Sequence, residues 1–330
     1  MQVRVMRPGD LHAVVSIWNR CSEAGETVYA PLTDAVFHQK FIGNPNYMPE
    51  YALVAEEAGR VIGFIHGITK RVFLPKETHA NTPGYITCVF ADAAYRRQGV
   101  GSALLNALTA TFKRNGKTSA ACRDTNPVNL DWIIPGTPGH DHNNAPGVDI
   151  ACMGHPFLQK HGFQERYREV AMYLHLADYQ PASALDDIRR KLREEGISTG
   201  RYDVSLGYDF SRMCDRVGSE YWRKVLQDET SKPYPRPILA ATYGTHIVGF
   251  TGPVDKQPSG RGWFTGICTD PEYEKRGIAT VLFNLLMQEF IAAGASFSTL
   301  FTGDTNHAQR IYAKTGFRAA RRFAAMDRDL

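Results

Sequence analysis

Residues 85–108 read YITCVFADAAYRRQGVGSALLNAL, and residues 263–286 read WFTGICTDPEYEKRGIATVLFNLL. Set at an offset of 178, Tyr95 falls on Tyr273, Gly99 on Gly277, Gly101 on Ala279 and Leu104 on Leu282. Apolar positions then coincide along a whole helix: Val100, Ala103, Leu104, Ala107 and Leu108 fall on Ile278, Val281, Leu282, Leu285 and Leu286. That i, i+3, i+4, i+7, i+8 spacing is one buried helical face. Each copy reads as strand, tight turn and amphipathic helix, so the chain reads as a duplication.

The repeat resumes downstream. SAACRDTN (119–126) and STLFTGDTN (298–306) are each a strand-like run ending in Asp-Thr-Asn. The second copy then goes directly through NHAQRIYAKTGF (306–317), whereas the first reaches its matching FLQKHGF (157–163) only after about 26 additional residues. That insertion, near 127–151, is rich in Pro and Gly and reads as a loop. The copies close on REVAMYLHL (168–176) and RAARRFAAMDRDL (318–330). Between them a helix is expected over about Ala184 to Glu195, with Leu185, Ile188 and Leu192 on one face and Gly196 as its stop. The expected domains are 1–180 and 181–330. Upstream, YALVAEE and RVIGFIHGI read as a hairpin, with ILAATY and HIVGFTGPV in the same place in the second copy. Strands alternating with helices predict an α/β (α+β, mixed-sheet) fold in each half.

Composition agrees with two folded domains: the chain has 330 residues, 43% apolar and 22% charged. Disorder and collagen-like repeats are excluded. The net charge of +4 is too mild and too dispersed for a nucleic-acid surface. No run approaches the roughly 18 apolar residues of a membrane span, so a cytoplasmic protein without a membrane partner is expected. Six scattered cysteines without a CxxC pair read as reduced, mostly buried thiols.

The turn Arg96-Arg97-Gln98-Gly99-Val100-Gly101 lies directly between strand and helix. Glycines allow positive φ and close approach, the first helical N–H groups lack partners, and the helix dipole adds positive charge, so such a turn cradles phosphate. Arg96 and Arg97, and Lys275 and Arg276 in the second copy, add formal charge. A dinucleotide fingerprint would need a glycine where Leu104 or Leu282 stands, and a Walker loop GxxxxGK(S/T) is absent. His140-Asp141-His142, with Asp149 and His155 nearby, lacks cysteine partners at ligand spacing and reads as a polar loop rather than a metal site. That loop, with Trp132, is expected to fold over a pocket or the domain interface.

Both turns resemble the pyrophosphate signature Gln/Arg-x-x-Gly-x-Gly/Ala of the GNAT acyltransferase superfamily. The preceding TDPEY and the segment Asn306 to Phe317 are similar to further family segments. The resemblance covers both halves, a two-domain layout similar to that of the mycothiol synthases. It implies acetyl-CoA as co-substrate and an N-acetyltransferase in which a small-molecule amine attacks the thioester directly. The cofactor residues it implies are Phe90, Ala91, Arg96, Arg97, Gln98, Gly99, Val100, Gly101 and Ser102. In the second copy they are Cys268, Thr269, Lys275, Arg276, Gly277, Ile278, Ala279 and Thr280. It also implies Tyr312 as the acid that meets the departing thiolate. Asn306 either caps the following helix or bonds the pantetheine arm.

The copies are not equivalent. Leu158 stands at the position of Tyr312, and Glu274 stands where the signature has Gln or Arg. A turn that binds through backbone tolerates one acid, whereas Leu158 cannot supply a proton, so the C-terminal half is expected to be catalytic. Asp304, Asp270, Asp255 and His307 are base candidates without a ranking. The competing reading is a non-catalytic acyl-CoA-binding or interaction protein of the same fold. A homo-oligomer is compatible with either.

Overall fold

The computed structural model describes residues 1–330. Along the chain run β1 (Gln2–Val5), α1 (Leu11–Glu23), α2 (Asp34–Phe37), β2 (Ala52–Glu57), β3 (Arg60–Ile68), β4 (Gly84–Ala91), α3 (Val100–Arg114) and β5 (Ser119–Cys122). Short strands β6 (Trp132–Ile133), β7 (Asp141–His142) and β8 (Val148–Asp149) follow, then α4 (Gly154–Lys160) and β9 (Gln164–His175). The linker helix is α5 (Leu185–Glu194). Next come β10 (Ile197–Arg201), α6 (Ser211–Val217), α7 (Glu220–Thr230), β11 (Leu239–Tyr243), β12 (His246–Gly252), β13 (Asp255–Lys256), β14 (Arg261–Trp263) and β15 (Gly266–Thr269). The chain ends with α8 (Ile278–Ala292), β16 (Phe297–Gly303), α9 (Gln309–Lys314) and β17 (Arg318–Asp329).

Two compact units result: Met1–Ala171 with Ala320–Leu330, and Met172–Ala319. The sequence repeat suggested one cut near residue 180; the contacts instead assign the last eleven residues to the N-terminal unit. The reason is burial. In β17, Phe323, Ala324, Ala325 and Met326 are buried, Met326 pairs with Cys122 on β5, and Phe323 pairs with Asp149 on β8.

In the N-terminal unit β1, β2, β3 and β4 are antiparallel neighbours and β5 joins β4 in parallel. β3 is buried along nearly its whole length because both faces are covered. Val14, Ile17 and Trp18 of α1 pack with Phe37 and Phe64 on one face; Leu104, Leu105, Leu108 and Phe112 of α3 pack with Ile62 and Ile65 on the other. The apolar stripe of α3 seen in the sequence is thus the buried face. In the C-terminal unit β10, β11, β12 and β15 form an antiparallel sheet, while β14 pairs with β13 and, in parallel, with β16. Met213, Cys214 and Leu226 of α6 and α7 pack against Ile247 and Phe250.

The insertion is not a free loop. β6 pairs with β7, Trp132 is fully buried, and its ring meets those of His142 and Phe323 at 5.1 and 5.3 Å. An aromatic of that size supplies core area wherever its surroundings allow, and here it packs inside the N-terminal unit rather than over a pocket. All six cysteines are free thiols, four of them buried.

Candidate active site

Each unit contains a split beside its turn. β4 pairs with β5 only at Gly84–Ala120 and Tyr85–Ala121, then continues to Ala91 bonded to β3 alone. In the C-terminal unit β14 pairs with β16 and β15 with β12, with Phe264 and Thr265 between them. Unpaired strand edges of this kind leave N–H and C=O groups for a ligand to bond. Phe90 lies on that part of β4, but its ring turns to Trp18, 4.8 Å away.

The turns are built alike. Asp92 accepts from the Ala94 N–H at 3.2 Å, and Asp270 accepts from the Glu272 N–H at 3.1 Å. Burial alone would raise the pKa of Asp92, but the Ala94 N–H, Arg20 and Arg60 outweigh it and hold the carboxyl below its usual range. The backbone then passes through positive φ twice per copy: Arg97 at 61° and Gly99 at 86°, Lys275 at 62° and Gly277 at 92°. Gly99 and Gly277 are the N-caps of α3 and α8, where a side chain would strain the left-handed conformation. The next amides, at Val100, Gly101 and Ser102 and at Ile278, Ala279 and Thr280, are the first of their helices and lack intrahelical acceptors.

The surroundings differ. Nothing lies within 4 Å of a Cβ built on Gly99. A Cβ on Gly277 would stand 2.6 Å from Cγ2 of Ile188 on α5. Arg96 was expected to lend charge to the first turn, but its guanidinium is held by Glu26 and its Nε donates to the Ala91 carbonyl at 3.1 Å. Arg276 donates to Glu195 at 2.6 Å and lies over the Tyr273 ring. Gln98 bonds back to the Ala94 carbonyl. Ser102 Oγ lies 2.9 Å from His161 Nε2, and Phe157 borders Gly101. Cys268 Sγ contacts Met213, and burial pushes its thiol well above the usual range. Thr269 ends β15.

Tyr312 is 6% exposed, its ring 4.7 Å from that of Phe283 and 6.3 Å from that of Phe317. Burial pushes its hydroxyl up to about 12. Asn306 Oδ1 accepts from the Ala308 N–H at 2.9 Å, a turn contact ahead of α9, whose N-cap is Ala308. Among the base candidates, Asp270 is held by Arg216 at 2.9 Å and Asp255 by Arg236 at 3.0 Å. Leu158, at the Tyr312 position, is buried in the core of the N-terminal unit.

Two groups at the N-terminal split were not singled out in the sequence. Tyr167 Oη donates to Asp124 Oδ1 at 3.3 Å, and Glu169, two residues further along β9, has its carboxyl pushed up to about 7 by burial and by the Asp124 charge. Deeper in, Thr87 Oγ1 accepts from Asn126 Nδ2 at 3.2 Å and lies 3.0 Å from His66 Nδ1. The period-two spacing of Tyr167 and Glu169 was visible; their approach to a loop more than forty residues earlier was not.

Residues 11–132 and 206–317 match the profile of the acetyltransferase (GNAT) family, more than half of the chain. The chain belongs to the GNAT family. Its fold is similar to that of a GCN5-related glucosamine N-acetyltransferase region in a fungal multi-domain beta-N-acetylglucosaminidase (TM-score 0.70, 15% identity), covering 99% of this chain and 38% of that one. A GCN5-related N-acetyltransferase from Sphaerobacter thermophilus is similar at TM-score 0.62 and 15% identity, with 99% and 95% of the two chains covered. A tandem GNAT protein from the clavulanic acid biosynthesis pathway gives 0.56 and 14%, with 99% and 98% covered. These likenesses bear out the mixed α/β fold and the tandem GNAT layout. No curated protein matches the sequence. No helix of this GNAT protein is long and apolar enough to cross a membrane.

Proposed function

We propose that this chain transfers an acetyl group from acetyl-CoA to the amine of a small molecule, with the coenzyme on the N-terminal unit. The observation that carries the assignment is the uncovered turn at Gly99, beside a split in the sheet, against the covered turn at Gly277. The residues fit the group: the first amides of α3 would take the diphosphate, Gly99 supplies the required positive φ, and the edge of β4 up to Ala91 would pair with the pantetheine arm.

The amine nitrogen attacks the thioester carbon, the carbonyl oxygen becomes an oxyanion, and collapse breaks the C–S bond. Binding both partners in one site provides proximity, and a backbone N–H on the unpaired part of β4 is suited to the oxyanion. Glu169, with its carboxyl near 7, is the group suited to take the ammonium proton at neutral pH. The thiolate takes a proton from water, because Leu158 stands where Tyr312 stands in the other half. Under this reading Tyr312 and Asn306 belong to a unit whose turn is closed.

Leu158 also favours a second reading, coenzyme binding without turnover. Calorimetry with coenzyme A, then thiol release from acetyl-CoA with an amine panel, separates the two. Transfer that is lost in Gly99→Val supports the proposal; binding without release across the panel supports the second reading.

A further inference from the structure

We infer that α5 and the segment before it form an intramolecular plug that keeps coenzyme off the C-terminal turn, so that the chain binds one coenzyme rather than two. This rests on the reading that these turns receive a coenzyme diphosphate.

Ile188 Cγ2 lies 2.6 Å from the place a Cβ of Gly277 would take, so a methyl group packs beside the N-cap of α8. A phosphate oxygen must come within about 3 Å of an N–H to bond it, and a methyl group of α5 lies beside the glycine that opens this turn. The Glu195 carboxylate bonds Arg276 at 2.6 Å, as Glu26 holds Arg96 at the other turn, so it is the position of Ile188 that distinguishes the two.

The plug is anchored specifically. Asn284 of α8 is fully buried, and its Oδ1 accepts from Tyr179 Oη at 2.8 Å and from the Ala182 N–H at 3.0 Å, while its Nδ2 donates to the Thr280 carbonyl. The Gln180 N–H donates to the Thr315 carbonyl beyond α9. Residues 181–184 therefore run over the gap between α8 and α9 and line a cavity of about 490 Å³ there, together with Thr280, Asn284 and Lys314. Leu185 and Leu192 hold α5 in the core. At the N-terminal turn nothing lies within 4 Å of a Cβ built on Gly99.

Titration calorimetry with coenzyme A on the full chain tests the plug. The wild type is expected to bind one equivalent, and Ile188→Ala/Glu195→Gln, which keeps Leu185, Leu192 and the Asn284 contacts, is expected to bind a second, with a thermal midpoint showing that it is folded. Hydrogen exchange at 181–195 is expected to stay unchanged when wild type is saturated. Two equivalents on the wild type, loss of protection at 181–195 on saturation, or a folded double variant that binds no more than wild type would each overturn the plug. A wild type that binds none beside a double variant that binds one keeps the plug and removes the N-terminal assignment. If neither protein binds, both fall.

Discussion

Tyr179 donates its hydroxyl to Asn284 Oδ1 at 2.8 Å, across 105 positions of sequence. The same oxygen accepts the Ala182 N–H, so one fully buried amide fixes the path of the linker over α8. Asn284→Ala leaves the Ala182 N–H without its acceptor and Tyr179 with only the Asn284 carbonyl at 3.4 Å, which costs about 1–3 kcal/mol for a buried group. Chemical denaturation of the variant should show a loss of that order, with faster hydrogen exchange at 181–188. An unchanged midpoint would mean that the linker is held by α5 and the Gln180–Thr315 bond without Asn284.

The last strand stabilises the unit at the opposite end of the sequence. Gly147 passes so close to β17 that a Cβ there would stand 2.2 Å from the Ala324 carbonyl oxygen, a backbone atom with little room to move. Gly147→Ala should therefore cost about 1–3 kcal/mol and make residues 320–330 more accessible to limited proteolysis. A wild-type digestion pattern would contradict the tight seating of β17.

His66 is fully buried, and burial pushes its pKa from the usual 6.5 down to about 3. The unfolded chain takes up a proton near 6.5, but the folded chain does not until about 3. Stability is therefore present above 6.5 and falls as pH drops through that window, by up to about 1.4 kcal/mol per pH unit. His66→Gln should show a shallower loss between pH 6.5 and 5, measured by denaturant unfolding at each pH. Parallel curves for the two proteins would show that His66 titrates normally.

A base must be unprotonated to act. With Glu169 near 7, kcat/KM for acetyl transfer should rise with pH through about 7 and level above it. Glu169→Gln should lower kcat/KM by roughly 10²–10⁴-fold and abolish that limb. A variant with wild-type rates and an intact limb would return the proton to another group.

Much of this was readable because it is local. The apolar stripes of α3 and α8, the positive φ at Gly99 and Gly277, and the linker helix within a residue of its expected ends all depend on neighbours a few positions apart. The sites were legible to the same depth. Backbone of the turns could be placed, but Arg96 and Arg276 could not, because a long side chain goes to whichever carboxylate the fold brings near: Glu26 and Glu195, 70 and 81 positions away.

The sequence by itself determined the duplication, the two turns and the family they resemble, since helical periodicity and glycine's freedom at positive φ are properties of short segments. Tertiary structure alone decided that residues 320–330 complete the N-terminal unit, that burial and then the Asp124 charge raise the Glu169 carboxyl, and that Ile188 lies against Gly277 while no atom crowds Gly99. Those outcomes depend on strand pairing, burial and charge between residues far apart in the chain, which local pattern does not encode.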